Sequence, residues 1–187
     1  RPGVTVARPA SVGDALREAA VSLRTTGASR SPRLDAELLL ARALGVTRAE
    51  LFRETDRELT DEEAAAFERL LDRRLAREPV AYILGRRAFR TIDLEVTPDV
   101  LIPRPETETV VEVALEALRG MPIVGPDPED EPLALDVGTG SGCIALAIAA
   151  EDPFVRVVAT DVEPGALLVA RGNAARLGLA RRVEFVL

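Results

Sequence analysis

Apolar residues recur at helical spacing in several runs along the first part of the chain, and helix start and stop signals frame these runs. A serine or threonine that can serve as an N-cap precedes each predicted helix, at Ser11, Ser31, Thr47 and Thr60. The helix after Ser31 ends at Gly45, and the one after Thr60 must end by Pro79. These patterns predict a small helical bundle with charged outer faces and no catalytic groups.

The spacing of apolar residues changes after this bundle. Between residues 86 and 96 apolar and polar residues alternate, which predicts a short two-stranded hairpin. From Leu133 onward, continuous apolar strands alternate with helical stretches. We predict strands at 133–137, 155–160 and 183–187, and helices at 143–150 and 164–177. This β-α-β-α-β order is typical of an α/β fold with a parallel sheet that helices cover on both faces.

Two proline-rich segments interrupt the regular pattern. Residues 98–108 contain too many prolines for regular structure, and a helix with apolar residues from Val110 to Leu118 follows them. Residues 120–132 hold four prolines and four acidic residues, so we expect an exposed loop there.

The chain lacks several residue types that enzymes use for covalent or proton-transfer chemistry. None of its 187 residues is His, Lys or Gln, and all 24 basic residues are Arg. Within this sequence that excludes catalytic triads with histidine, histidine-bound metals, Schiff bases and the lysine of phosphate-binding loops. We therefore expect no metal site, and any reaction should depend on a cofactor.

Charge and cysteine content narrow the possible partners and location. Residues 1–100 hold 17 arginines and 17 acids, whereas residues 101–187 hold 7 and 14 and account for the net charge of −7. No basic stripe is present, which argues against direct nucleic-acid binding. The longest apolar run, 143–150, is too short for a membrane span, we find no signal peptide, and Cys143 is the single cysteine. We expect a cytoplasmic protein without membrane contact.

A glycine-rich segment lies where the first predicted strand of the sheet turns into a helix, the place where such sheets bind nucleotide-like ligands. Glycines let the backbone approach a ligand closely, and the N-terminus of the helix offers free N–H groups. An acid at the end of the next strand can accept hydrogen bonds from both hydroxyls of a ribose. The candidate cofactor-binding residues are Asp136, Gly138, Thr139, Gly140, Ser141, Gly142 and Asp161.

Three interpretations of this loop are open. A dinucleotide site requires G-x-G-x-x-G, but Cys143 occupies the place of the third glycine. The carboxylate of Asp136 would repel a pyrophosphate, whereas S-adenosylmethionine carries a sulfonium, an ammonium and a carboxylate and no phosphate. The third interpretation is a tight turn from strand to helix without any ligand. The two acids together with the glycines favour S-adenosylmethionine.

Three segments of the chain resemble release factor glutamine methyltransferases, the HemK/PrmC family. They are residues 78–85 (Glu-Pro-Val-Ala-Tyr-Ile-Leu-Gly), 102–108 (Ile-Pro-Arg-Pro-Glu-Thr-Glu) and 135–144, in the order and spacing of that family. The glycine motif is common to class I methyltransferases, whereas the proline-arginine segment is much more specific. The resemblance extends from about residue 11 to residue 187.

The resemblance implies a domain organisation. A helical domain at 1–84 would help to recognise the release factor, 85–97 would be a hairpin linker, and 98–187 would be a class I, Rossmann-like methyltransferase domain. The residues from Gly138 to Gly142 would contact S-adenosylmethionine, and Asp161 its ribose.

The resemblance also implies a reaction. The family transfers a methyl group from the sulfonium sulfur to the side-chain nitrogen of the glutamine in the Gly-Gly-Gln loop of release factors, which act in translation termination. Thr107 and Glu108 would lie near the methionine end of the cofactor, unless residues 103–108 are only a rigid proline turn.

The sequence departs from the family in one respect. The family holds its target glutamine with an Asn-Pro-Pro-Tyr motif after the fourth strand, and this motif is absent here, so the catalytic residues are unknown. We expect a fragment with only the first three strands of the sheet, an open apolar edge and no turnover of its own. Two alternatives are open: a nucleic-acid amino-group methyltransferase of the same fold, and a truncated form that only binds a partner.

Overall fold

The computed structural model describes residues 11–121 and 132–187. Its contacts divide the chain into two compact units, one that ends at Leu84 and one that begins at Gly85. Most of the loop predicted at 120–132 lies outside the described residues. No helix of the described part is long and apolar enough to cross a membrane.

The first unit is helical, and its N-caps agree with the sequence signals in three of four cases. The side chains of Ser11, Thr47 and Thr60 each accept a hydrogen bond from the backbone N–H three residues later. Ser31 makes no side-chain cap bond, and the helix after it starts directly with Pro32. The helices are α1 (Val12–Thr25), α2 (Pro32–Leu44), α3 (Arg48–Arg53), α4 (Asp61–Leu75) and α5 (Val80–Leu84).

The buried face of α2 differs from the one that apolar spacing suggests. Leu34 is 40% exposed, whereas the carboxylates of Asp35 and Glu37 are buried beside the apolar core. Nε of Arg74, on α4, lies 2.7 Å from Oδ2 of Asp35, and Glu37 is paired with two further arginines. Ion pairs with these arginines make burial of the two acids possible, because a buried charge needs a partner.

The second unit contains a hairpin, a parallel sheet and three helices, as predicted. The hairpin strands β1 (Arg86–Phe89) and β2 (Ile92–Glu95) are antiparallel, and a single turn of 3₁₀ helix at Pro105–Thr107 follows. The sheet is parallel and has the strand order β3-β4-β5. The remaining elements are α6 (Glu108–Arg119), β3 (Leu133–Val137), α7 (Cys143–Glu151), β4 (Arg156–Thr160), α8 (Pro164–Arg176) and β5 (Val183–Val186).

In the described part of the chain, the helices cover one face of the sheet. The three strands follow each other in chain order, so right-handed crossovers place α7 and α8 on the same side. The core of this unit joins α6, α7, the hairpin and the inner face of β4. On the other face Leu133, Leu135 and Val137 are 56%, 64% and 76% exposed, since no described segment packs against them. The prediction of helices on both faces is therefore wrong for β3 in the described part of the chain.

Candidate functional site

The loop between β3 and α7, residues 138–142, is anchored at the carboxyl end of the sheet. The N–H groups of Gly138 and Thr139 both donate to the carbonyl of Thr160, the last residue of β4, at 2.8 and 2.9 Å. Gly138, Gly140 and Gly142 have φ angles of 77°, 56° and 82°, in the left-handed region that favours glycine. The glycine loop therefore lies where parallel sheets bind ligands.

Its three glycines have two different roles. A Cβ at Gly142 would lie 2.8 Å from Cδ1 of Leu146 and 3.3 Å from Cβ of Ala170, so this glycine permits close packing of α7 and α8. At Gly138 and Gly140 a Cβ would meet no other described heavy atom within 4 Å, chain neighbours aside. The backbone at these two positions therefore borders open space on the side where a Cβ would stand.

Asp136, near the end of β3, holds the loop to the first turn of α7. Its side chain is buried, and Oδ2 accepts hydrogen bonds from Oγ1 of Thr139 at 2.7 Å and from the N–H of Ala145 at 3.2 Å. Burial raises the pKa of Asp136 above its ordinary value, these two hydrogen bonds oppose that rise, and the negative charge of Asp161 adds to it. Asp136 is thus both a structural acceptor and a source of negative potential under the loop.

Asp161 comes directly after β4 and binds the glycine loop from the other side. Oδ2 accepts a hydrogen bond from the N–H of Gly140 at 2.8 Å, and Oδ1 accepts one from the N–H of Glu163 at 3.0 Å. The structure therefore brings together Asp136, Asp161 and the glycines, which sequence analysis assigned to one site. Two carboxylates at one loop attract a cationic ligand and repel a pyrophosphate.

The side chains of Thr139 and Ser141 are turned into the protein, with exposures of 4% and 1%. The Ser141 hydroxyl lies beside the Cys143 thiol but has no hydrogen-bond partner of normal geometry among the described residues. Burial, together with the charge of Asp136, raises the pKa of Cys143, so its thiol is not activated as a nucleophile. The side chains of Thr139 and Ser141 are therefore not available to a ligand.

Thr107 and Glu108 lie at the junction between the 3₁₀ turn and α6. Oε1 of Glu108 accepts a hydrogen bond from the N–H of Arg90 at 3.3 Å, and its carbonyl accepts one from Nη1 of Arg90 at the same distance. These bonds connect Glu108 to the turn of the hairpin rather than to the glycine loop. A role for Thr107 and Glu108 in cofactor binding stays a prediction.

Sequence analysis missed the contribution of Asn173, on α8. Its side chain is completely buried and donates a hydrogen bond to the carbonyl of Ser141, within the glycine loop, at 3.0 Å. A lone asparagine within a helix has no recognisable local motif. Its one sequence signal is a polar residue at a position where the helical pattern requires an apolar one.

Two protein-family models match parts of this sequence. The family model described as "PrmC N-terminal domain" matches residues 14–85, and the one described as "Methyltransferase small domain" matches residues 127–186. A solved structure, the S-adenosylmethionine-dependent methyltransferase SibL in its apo form, aligns with 90% of this chain and 64% of its own at 23% identity. Its TM-score of 0.31 is too low to add to the argument.

Curated relatives align with much more of the sequence. The release factor glutamine methyltransferase of Moorella thermoacetica is 46% identical over 172 residues, which is 92% of this chain and 58% of the relative. The enzymes of the same name from Coxiella burnetii and Chlorobaculum tepidum are 46% and 48% identical over 155 residues, covering 82% and 83% of this chain and 53% and 52% of their own. The chain thus spans about half the length of the curated relatives it matches. On these sequence matches, the chain belongs to the family of release factor glutamine methyltransferases.

Proposed function

We propose that the protein is a methyltransferase that uses S-adenosylmethionine to methylate the side-chain amide nitrogen of the glutamine in the Gly-Gly-Gln loop of peptide chain release factors. Its place of action would be the cytoplasm, where that substrate is used. The helical unit would contribute to recognition of the release factor. The names of the relatives support the substrate, and the geometry of residues 136–161 supports the cofactor.

The observation that carries the cofactor assignment is the convergence of Asp161 and the glycine loop. The carboxylate of Asp161 binds the N–H of Gly140, and open space borders the backbone of Gly138 and Gly140. A nucleoside placed beside that backbone would find a carboxylate for its ribose hydroxyls. The chemistry of the acids also suits the positively charged sulfonium and ammonium groups.

Each residue of the site would have a distinct role in binding. Asp161 would accept hydrogen bonds from the ribose, Gly138 and Gly140 would allow close approach of the backbone, and Asp136 would favour the cationic end of the cofactor. S-adenosylmethionine supplies the activated methyl group when it is bound. An amide nitrogen is a poor nucleophile because its lone pair is delocalised into the carbonyl, so we expect precise positioning to contribute more than a strong base.

The proposal can be tested on the full-length product of the gene. The protein is incubated with S-adenosylmethionine and an unmodified release factor, and any added methyl group is mapped by peptide mass spectrometry. We expect one methyl group on the glutamine of the Gly-Gly-Gln loop. A release factor with Gln→Ala in that loop is the matched control and should gain none.

Other outcomes would separate the parts of the proposal. Cofactor binding without methylation of that glutamine would discard the substrate, and transfer to nucleic acid would favour the nucleic-acid methyltransferases of this fold. Absence of S-adenosylmethionine binding, measured by calorimetry, would refute the proposal altogether. In an otherwise active protein we expect Asp161→Ala to weaken cofactor binding by about tenfold to a hundredfold, as lost hydrogen bonds to a charged group would.

A further inference from the structure

Asn173 is completely buried on α8, and its side-chain amide has all its hydrogen-bonding capacity satisfied. An amide group offers two acceptor sites and two donors. Oδ1 accepts hydrogen bonds from the N–H of Glu95 at 2.7 Å and from Nη2 of Arg176 at 2.9 Å. Nδ2 donates to the carbonyls of Glu95 and Ser141, both at 3.0 Å. One side chain thus connects α8, the hairpin and the glycine loop.

The carbonyl of Ser141 is available to Asn173 because of how α7 begins. Ser141 lies just before the N-cap Gly142, and Ala145 lies in the first turn of α7, where backbone N–H groups have no acceptor within the helix. Here the N–H of Ala145 donates to Oδ2 of Asp136. Asp136 and Asn173 together therefore determine how the glycine loop enters the helix.

The backbone groups of Glu95 are available to Asn173 because of the hydrogen-bond pattern of the hairpin. The N–H of Val96 donates to the carbonyl of Gly85 across the hairpin at 3.0 Å, so the neighbouring Glu95 directs its own N–H and carbonyl to the outer edge. Asn173 binds both groups, as an adjacent strand would. Glu95 is the last residue of β2, and the proline-rich segment 98–108 follows it.

We propose that Asn173 is a positioning residue for cofactor binding, which holds the carbonyl of Ser141 against the outer edge of β2 and so maintains the shape of the glycine loop. This inference rests on the proposed S-adenosylmethionine site. Because Asn173 is completely buried, it acts through Ser141 and Glu95 rather than on a ligand. A loop whose glycines have positive φ angles needs such support, since glycine is flexible by itself.

The substitution Asn173→Asp tests the connection with little change in volume. It keeps an acceptor for Glu95 and Arg176 but replaces the donor by an oxygen that faces two carbonyls. Asn173→Ser, which is shorter and uncharged, is a second variant in case the aspartate prevents folding. The control is Arg171→Ala on the same helix, whose guanidinium binds the carbonyl of Phe185 at 2.9 Å.

Two measurements are made on the full-length protein at a temperature where circular dichroism shows every variant folded. Amide hydrogen exchange, read by mass spectrometry, reports on peptides that cover 139–145 and 92–97. Calorimetry gives the Kd for S-adenosylhomocysteine, the product form of the cofactor. In the Asn173 variants we expect exchange in 139–145 and the Kd to increase about tenfold, the effect of one lost buried hydrogen bond. Arg171→Ala should change neither.

The two measurements distinguish failure of this inference from failure of the proposed function. Unchanged exchange in both Asn173 variants would overturn the inference, whether or not the cofactor binds. Faster exchange with an unchanged Kd would also overturn it, because the role would then be purely structural. If the unsubstituted protein binds no S-adenosylhomocysteine, the proposed function fails. Faster exchange in the Asn173 variants would then show only that Asn173 connects the glycine loop to the hairpin, without a role in cofactor binding.

Discussion

At the scale of single residues, packing explains why one position of the glycine loop is glycine, whereas close approach of a ligand would explain the other two. Gly142 is confined by Leu146 and Ala170, whereas a Cβ added at Gly138 or Gly140 would meet no described atom within 4 Å, chain neighbours aside. A buried carboxylate on β3 beside this loop, that of Asp136, carries a negative charge that burial makes unfavourable in the folded protein. Substitutions at these residues should therefore separate stability from ligand binding.

We expect Gly142→Ala to destabilise the second unit by about 1–3 kcal/mol. The new Cβ would lie 2.8 Å from a carbon of Leu146, and the φ angle of 82° is strained for alanine. Urea denaturation measures the change. The control is Gly172→Ala on α8, where a Cβ would meet nothing within 4 Å and alanine favours the helix, so stability should stay equal or rise by up to about 1 kcal/mol. Equal destabilisation by both substitutions would contradict this explanation.

Asp136→Asn should weaken cofactor binding without a loss of stability at neutral pH. Because folding raises the pKa of Asp136, the protonated form is favoured in the folded state. Its contribution to stability is therefore present at low pH and is lost as the pH rises from the ordinary pKa through the raised one. An asparagine stays neutral throughout this window.

Urea denaturation across that pH range tests this expectation, together with calorimetry of S-adenosylhomocysteine binding. We expect the free energy of unfolding of Asp136→Asn at neutral pH to equal or exceed that of the unsubstituted protein, and the Kd to increase about tenfold. A large loss of stability at neutral pH would show instead that Thr139 and Ala145 need the ionised carboxylate.

At the scale of elements, side chains that cap or connect helices and strands account for the local architecture. At the start of α4, Thr60 and Glu63 form a reciprocal capping box, and Arg57 binds the Glu63 carboxylate through two nitrogens, each at 3.0 Å. In the second unit, Arg90 at the turn of the hairpin contacts both α6 and α7. The capping box predicts a dependence of stability on pH, and the contacts of Arg90 predict a measurable coupling energy with Glu151.

The capping box predicts acid sensitivity of the helical unit. The hydrogen bonds from Arg57, followed by those from Thr60, lower the pKa of Glu63 from its ordinary 4.5 to about 2. The stabilisation that Glu63 provides is therefore complete above pH 4.5 and is lost as the pH falls toward 2. We expect Glu63→Gln to cost about 1 kcal/mol at neutral pH, after allowance for solvent screening, and progressively less as the pH falls from 4.5 through about 2.

Thermal unfolding followed by circular dichroism at several pH values measures this difference. Glu62→Gln is the matched control, because Glu62 is an exposed acid in the same first turn of α4. It should have a much smaller effect at every pH. If Glu63→Gln destabilised the protein equally at neutral and acid pH, the ionised carboxylate would not be the cause.

The ion pair between Arg90 and Glu151 should stabilise the contact between the hairpin and α7. Nε and Nη2 of Arg90 lie 2.7 and 2.8 Å from the two carboxylate oxygens, and the side chains are only 15% and 16% exposed. The Glu151 carboxylate raises the pKa of Arg90, so the pair is fully ionised at neutral pH. A double-mutant cycle with Arg90→Met and Glu151→Gln should give a coupling energy of about 2 kcal/mol.

The exposed pair of Arg86 and Asp93 on the same hairpin provides the comparison. Its side chains are 56% and 45% exposed, so a cycle with Arg86→Met and Asp93→Asn should give less than about 0.5 kcal/mol. Equal coupling energies for the two pairs would mean that burial does not strengthen the Arg90 pair.

At the scale of the whole molecule, the outer face of β3 is the main exposed apolar feature of the described sheet. Leu133, Leu135 and Val137 project from that face, and within the described residues β3 has a hydrogen-bonded neighbour only on the β4 side. A row of exposed apolar side chains on an edge strand favours association between molecules.

We therefore expect a protein that consists of these 187 residues to self-associate as its concentration increases. Leu135→Asp should reduce this association, since it introduces a charge at a position that is 64% exposed. Sedimentation velocity between about 1 and 100 µM would measure it, in the range where exposed strand edges cause aggregation. The control is Phe52→Ser on α3, 48% exposed, which should have no effect. A monomer at every concentration would contradict the expectation.

Features that depend on neighbours along the chain could be predicted from the amino-acid sequence. N-cap residues, Gly45 and alternating apolar residues indicated where most helices and strands lie, because backbone conformation and capping are set within a few residues. The glycines of the loop and the acids beside it could be assigned to one site for a different reason. The carboxyl ends of adjacent parallel strands meet at one edge, so Asp136 and Asp161 had to lie close together.

Features that depend on partners far along the chain became apparent only from the three-dimensional contacts. Asn173 binds Ser141 and Glu95, 32 and 78 positions away, and no local pattern specifies such a contact. The burial of Asp35 likewise depends on Arg74, 39 positions further along the chain. The side of the sheet that the helices cover follows from the order of the strands and the handedness of their connections, which the hydrophobic pattern does not contain.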